Sequence, residues 1–156
     1  VALFAFSTSS SAATIPVTLR TANQDLGVNQ NVASFVVPVG ATINMDGTAI
    51  MQGLATVFIA QMSGIDLTLF QYVQVVLLAV ATSIGTAAVP SAGTITLIII
   101  LQQFNLPLEA IGIILAVDRV LDMIRTSVNV TGDAAIACIV AKTENQLDEN
   151  IFNSKG

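Results

Sequence analysis

The stretch Thr42–Met51, TINMDGTAIM, decides how the chain is read. It lies within FVVPVGATINMDGTAIMQGLATVFIAQM (residues 35–62), where nearly every other residue is apolar or small. Asn44, Asp46 and Gly47 interrupt what would otherwise be one hydrophobic helix. A carboxylate among apolar neighbours and a glycine inside a helix both cost free energy. Their coincidence marks a place where the chain gives up regularity for chemistry.

The surrounding composition names the solvent. The 156 residues are 54% hydrophobic and only 10% charged, with a mean hydropathy of +0.81. Soluble domains are about 25% charged, so this is membrane composition and speaks against a water-soluble enzyme; with its apolar runs read as helices, the chain is expected to be an all-α membrane protein. Five basic residues make no nucleic-acid patch, and no nucleic-acid partner is expected. Cys138 is the only cysteine, so no intrachain disulfide can form. Glu144, Asp148 and Glu149 gather negative charge in the C-terminal tail, which is expected to be solvated. The start, VALFAFSTSSS, has neither the basic flank nor the cleavage site of a signal peptide. A chain that opens within a hydrophobic run and without Met is expected to be a fragment.

Apolar runs and breakers divide the chain. Residues 1–19 are a short apolar run, a Ser/Thr cluster and a proline; 20–31 read as a polar loop. Residues 32–62 are long enough to span a bilayer, which takes about 20 residues, but are broken at NMDGT. Residues 70–84 and 94–103 are apolar arms around SIGTAAVPSAG. At 1.5 Å per residue the arms reach roughly 22 and 15 Å against a core of about 30 Å. Bare backbone at that depth is tolerated only inside protein or beside a wet cavity. Residues 70–103 are therefore expected to be a re-entrant helical hairpin, the alternative being one kinked spanning helix. Residues 108–141 are apolar but carry several charges, and 142–156 are the tail. TSSSAATIP (8–16) echoes TSIGTAAVP (82–90), and each precedes a helix with embedded polar residues. Paired interrupted segments of this kind point to a transporter site built on an internal repeat. Arg20 precedes the first span, and Lys142 and Lys155 follow the last. The positive-inside rule places that loop and the tail in the cytoplasm.

The last apolar segment has a polar face. With about 100° per residue and Asp118 as zero, Asp122, Arg125, Asn129 and Asp133 fall within a wedge of roughly 80°. Thr126 sits at its edge and Arg119 outside it. Charges within a membrane normally face protein or a wet cavity. A structural Asp122–Arg125 pair at i,i+3 would explain two of these residues and leave Asn129, Asp133 and Asp46 without a role. Hard cations take carboxylate, amide and backbone oxygens, which Asn44, Asp46, Asn129 and Asp133 supply. The absence of histidine favours Na⁺ over a transition metal. Arg125 can grip a carboxylate in a bidentate fork and Asp122 can pair with an ammonium. A small acidic amino acid presents both groups.

At these residues the sequence resembles the sodium/dicarboxylate symporter family, which includes excitatory amino-acid transporters and bacterial and archaeal glutamate/aspartate transporters. SSSAATIP, GATINMDGTA, SIGTAAVPSAG and DMIRTSVNVTGD carry the resemblance, in that order, from about Thr8 to Lys142. It implies a transport domain: 1–19 as part of a first re-entrant hairpin, 20–31 as a cytoplasmic loop, 32–62 as a broken transmembrane helix, 70–103 as the second hairpin gating the site, 108–141 as an amphipathic transmembrane helix, and 142–156 as a cytoplasmic tail. The scaffold domain and its homotrimer contacts would lie outside this sequence. It also implies sodium-driven symport of aspartate or glutamate across the plasma (inner) membrane.

By the same resemblance Arg125 holds the substrate side-chain carboxylate, helped by the Thr48 hydroxyl and the Gly93 amide. Asp122 takes the amino group with backbone at Ser9 and Val89. Asn129 and backbone at Ser11 hold the α-carboxylate, with Thr126 beside them. One sodium site would use Asp133 and backbone at Gly40, Asn44 and Asn129. A second would use backbone at Thr42, Ser83, Ile84 and Thr86, and a third Asp46 with Asn44. Archaeal members carry an arginine in the first tip and animal ones an arginine after the substrate aspartate; Ser9 and Met123 stand there instead. Ala88 and Ser91 stand where glycines are common. Within the family, C4-dicarboxylate or cystine symport, coupled to protons or sodium, is the alternative. Outside it, paired aspartates would suggest an intramembrane aspartyl protease, though VTGD lacks that family's second glycine.

Overall fold

The structure is a computed structural model describing residues 1–154; Lys155, used above for topology, lies outside the described residues. The interruption at NMDGT is where one helix stops and another starts. Helix α3 (Gln30–Ile43) ends at Asn44, and α4 (Asp46–Met62) begins two residues later. Neither Asn44 nor Met45 has helical backbone angles. Such a break leaves backbone groups without partners, and a distant helix supplies them. Asn129 Oδ1 accepts from Gly47 N at 2.8 Å, and Asn44 Nδ2 donates to Asn129 O at 3.4 Å and Asp133 Oδ1 at 3.1 Å.

Two helix–turn–helix pairs flank this break. The first is α1 (Ala2–Thr8) and α2 (Ser11–Gln24), joined at Ser9 in the left-handed conformation. The second is α5 (Leu69–Ile84) and α6 (Ala92–Gln103), whose tip ends with Ser91 at φ 61°. Thr68 and Gln71 form a capping box that starts α5. The tips touch: Ser10 Oγ donates to Ala88 O at 2.9 Å, and Ala12 N to the same oxygen at 3.3 Å. The sequence echo does not align them, since Pro16 lies inside α2 whereas Pro90 precedes α6.

Helix α7 (Ile111–Thr143) follows a 3-10 turn (Leu108–Ala110) and touches α1, α2, α3, α4 and α6. Its N-terminal part, at Ile114, packs with Met51, Ile59, Leu97 and Leu101. Its C-terminal part, at Ala137 and Ala141, packs with Ala22, Val28, Ala33 and Val37. The polar wedge lies between these two apolar cores. Outside, the pattern inverts: Phe35, Leu54, Leu69, Phe70, Leu77 and Ile95 are each at least 66% exposed.

Segment boundaries shift from those expected. Residues 20–24 continue α2 and Gln30 opens α3, so the polar loop shrinks to 25–29. The tail forms α8 (Glu149–Ser154), and Leu147 makes an antiparallel bridge with Val28. Among the described residues no single helix is long and apolar enough to cross a membrane. α3 and α4 are 14 and 17 residues, and α7 has the length but carries the charged wedge.

Candidate functional site

The periodicity of α7 brings its polar residues inward: Asp118, Asp122, Arg125, Thr126, Asn129 and Asp133 are all buried, while Arg119 faces out. Helix α4 answers with a stripe at i, i+4 and i+8, where Thr48, Gln52 and Thr56 are each no more than 1% exposed. Between the two helices and the two tips lies a small polar cavity of about 10 Å³. That is room for about one water and far too little for an amino acid.

Its walls include every residue expected at the substrate: Ser9, Ser11, Thr48, Val89, Gly93, Asp122, Arg125, Thr126 and Asn129. Arg125 Nη2 donates to Asp122 Oδ1, and Ser91 N donates to Asp122 Oδ2 at 2.8 Å. The i,i+3 ion pair is thus formed, and the second tip is tied to it. Asn129 Nδ2 donates to Thr48 Oγ1 at 3.2 Å. Two buried polar atoms on this cavity find no partner among the described residues, Arg125 Nη1 and Ser9 Oγ. A buried guanidinium nitrogen without an acceptor is costly and calls for an anionic one. Gly93 is required here, because a Cβ on it would run into Arg125 Nη1 and come within 2.9 Å of Cζ.

The expected cation ligands fall into three groups. Around Asp133, which is 1% exposed, Asn44 donates its amide to the carboxylate and bonds the Gly40 carbonyl through its backbone N–H. Gly40 lies so close that a Cβ there would sit 2.6 Å from Asp133 Oδ1. Asp133, Gly40, Asn44 and the Asn129 carbonyl therefore converge. Ser83, Ile84 and Thr86 cluster at the end of α5; Ser83 and Thr86 are buried, while Ile84 and Thr42 are exposed. Asp46 is exposed in the first turn of α4, where its charge suits the helix N-terminus. Gly132 faces both Asn44 and Asp46. Among the described residues no three His, Cys, Asp or Glu side chains gather as a metal group.

The family model described as the sodium:dicarboxylate symporter family matches residues 1–143. The chain belongs to that family. Among curated relatives of this symporter family it is 52% identical over 136 residues to human excitatory amino acid transporter 2, covering 87% of this chain and 24% of the relative. It is 51% identical over 140 residues to mouse excitatory amino acid transporter 3, covering 90% and 27%. A Caenorhabditis elegans excitatory amino acid transporter is 51% identical over 136 residues, covering 87% and 27%. The chain thus spans about a quarter of the length of the curated relatives it matches. The family and these relatives are transporters, not enzymes.

Sequence reasoning missed the polar network behind the cavity. Gln52 Nε2 donates to Gly93 O at 3.1 Å and Thr96 Oγ1 at 2.6 Å, and Gln52 Oε1 accepts from Thr82 Oγ1 at 2.9 Å. Thr94 Oγ1 donates to Asp118. The signal available was the four-residue spacing of Thr48, Gln52 and Thr56.

Proposed function

We propose that this chain is the transport core of a symporter that carries an acidic amino acid, aspartate or glutamate, driven by a sodium gradient through elevator-type alternating access. The observation that carries the reading is the buried, unpartnered Arg125 Nη1, which shares one cavity with Ser9 Oγ and the Asp122 carboxylate. An acidic amino acid inserts between Arg125 and Asp122. Its side-chain carboxylate takes the guanidinium beside Thr48 and Gly93, and its ammonium takes Asp122. Its α-carboxylate meets Asn129 and the backbone at Ser11. The cavity is too small until the second tip withdraws from Asp122, so that tip is the gate.

Sodium is the co-transported ion, with Asp133, Gly40, Asn44 and Asn129 as its best-formed set of oxygens. Thr42, Ser83, Ile84 and Thr86 form a second set, and Asp46 with Asn44 part of a third. The apolar exterior around a polar interior supports a multi-pass place in the plasma membrane, with both helical pairs re-entrant. The Val28–Leu147 bridge keeps the tail and the 25–29 turn together, which supports a shared cytoplasmic side. A homotrimer would form through segments beyond this chain.

The test is radiolabelled uptake by the full-length parent in proteoliposomes, under a sodium gradient or a proton gradient, with aspartate, succinate, cystine and serine as competitors. Aspartate uptake should need sodium, and serine should compete poorly. Arg125→Cys should cost aspartate roughly tenfold to a hundredfold in affinity, the loss of one charge-assisted hydrogen bond of about 1.5–3 kcal/mol. Preference for succinate in the wild type would overturn the reading, as would near-native aspartate affinity in Arg125→Cys.

A further inference from the structure

The residues after α7 are fastened to the protein's body. Asn29 N donates to Gln146 O at 3.0 Å, and Asp148 N donates to Gly27 O at 2.8 Å, on either side of the Val28–Leu147 bridge. Val28 is 1% exposed, and Leu147 packs on the core formed by α2, α3 and α7. Gly27 has φ 71°, and a Cβ on it would sit 2.5 Å from Asp148 O. The close approach therefore needs glycine at 27 for space as well as for backbone angle. Asp148 then caps α8 through Asn150 N and Ile151 N.

The turn that is fastened is the far end of α2, whose near end is the first tip. α2 is weak near that tip. Pro16 has no N–H to give to the carbonyl one turn back. Thr14 and Thr18 bond their hydroxyls to the carbonyls of Ser10 and Thr14, which bends helices. The packing of α2 on both α3 and α7 carries the position of its far end past this softened turn to the tip. Among the described residues the corresponding turn after α6 makes its main-chain bonds only within itself, Leu106 N giving to Leu101 O at 2.9 Å, while the Leu106 side chain is buried with Ile59 and Ile114. Among the described residues the tail bridge has no counterpart there.

We propose that residues 144–148 are a strap that immobilises the first hairpin: by gripping the 25–29 turn they fix α2 against α7, and so hold Ser9–Ser11 as the stationary wall of the cavity. The strap acts whichever substrate the cavity takes. It makes the two tips unequal, since among the described residues the second has no such main-chain bridge behind it.

The matched pair Gly27→Ala and Gly64→Ala tests this in the full-length parent in lipid nanodiscs. Both glycines have positive φ, 71° and 68°, but nothing lies within 4 Å of a Cβ at Gly64. Both substitutions carry backbone strain and only the first dislodges the strap. The readout is amide hydrogen exchange at 146–148, at the tip amides Ala12–Thr14 and, as a control, at Leu97–Leu101. Gly27→Ala should speed exchange at 146–148 and at 12–14 by about tenfold or more and leave 97–101 unchanged. Gly64→Ala should leave both of the first two sets within about twofold. A parent ending at Thr143 should loosen 12–14 in the same way, and it decides the matter if Gly27→Ala does not fold. Wild-type exchange at 12–14 in either variant overturns the proposal.

Discussion

Replacing Gly93 by alanine should damage recognition of the acidic substrate more than it damages the fold. The added Cβ would lie 2.9 Å from Arg125 Cζ, 3.0 Å from Thr48 Cγ2 and closer still to Arg125 Nη1. Comfortable carbon contacts begin near 3.5 Å, so the guanidinium must retreat by roughly 0.5–1 Å. Nη2 is tied to Asp122 and resists that retreat. The nitrogen displaced is Nη1, the one proposed to meet the substrate carboxylate. Charge-assisted bonds are made at about 2.7–2.9 Å, so a shift of this size removes or badly bends one. Losing one at about 1.5–3 kcal/mol weakens aspartate binding roughly tenfold to a hundredfold. Serine, which has no side-chain carboxylate, should lose less than about threefold, or some 0.7 kcal/mol. Calorimetric titration of both ligands into the purified parent at saturating sodium measures the two factors. Equal losses for serine and aspartate would refute the reasoning, because the damage would then be general. So would an aspartate affinity within about twofold of wild type.

Two further substitutions separate the proposed gate from the proposed ion site. Gln52→Leu removes the amide that bonds Gly93, Thr96 and Thr82; it should cost about 1–3 kcal/mol, seen as a melting-temperature drop of several degrees together with faster exchange at the second tip. Asp133→Asn should raise the sodium concentration for half-maximal uptake about tenfold or more, equivalent to about 1.4 kcal/mol, and leave the order of substrate preference unchanged in competition assays.

What could be read beforehand divides along physical lines. The wedge on α7 was readable because helical periodicity places Asp118 through Asp133 without any tertiary knowledge, and their burial follows. The break at Asn44–Met45 was readable because glycine and asparagine interrupt an apolar run. Its repair was not: Asn129 reaches Gly47 N across 82 residues of sequence, and no local rule specifies that pairing. Arg20 and Gln24 looked like loop because they are polar, yet they are good helix formers on an exposed face. The left-handed serines were invisible, since Ser9 and Ser91 lack the glycine that usually marks positive φ. The tail was half readable. Glu144, Asp148 and Glu149 are exposed, as their charge suggests, whereas the main-chain bonds that fasten the tail leave no trace in residue type.

Charge on the buried face sets how steeply binding should depend on sodium. Among the described residues three buried carboxylates, Asp118, Asp122 and Asp133, face one buried guanidinium, Arg125. With each carboxylate ionised the face carries two negative charges in excess. An acidic amino acid has a net charge of minus one, so its arrival deepens that excess by one. Burying uncompensated charge costs several kcal/mol per ion even after relaxation, and under the proposed function the cavity closes over the substrate. Cations would then have to enter with it, and more than one would be needed to approach neutrality. The apparent dissociation constant for aspartate should fall with sodium along a log–log slope of at least about two, by linkage. Titration of the purified parent across a hundredfold range of sodium, at constant ionic strength, gives the slope directly. A slope of one or less would mean that protons or a protonated carboxylate balance the charge. Repeating the titration with Asp133→Asn, which removes one negative charge, should lower the slope by about one; an unchanged slope would locate the neutralising ions elsewhere on the face.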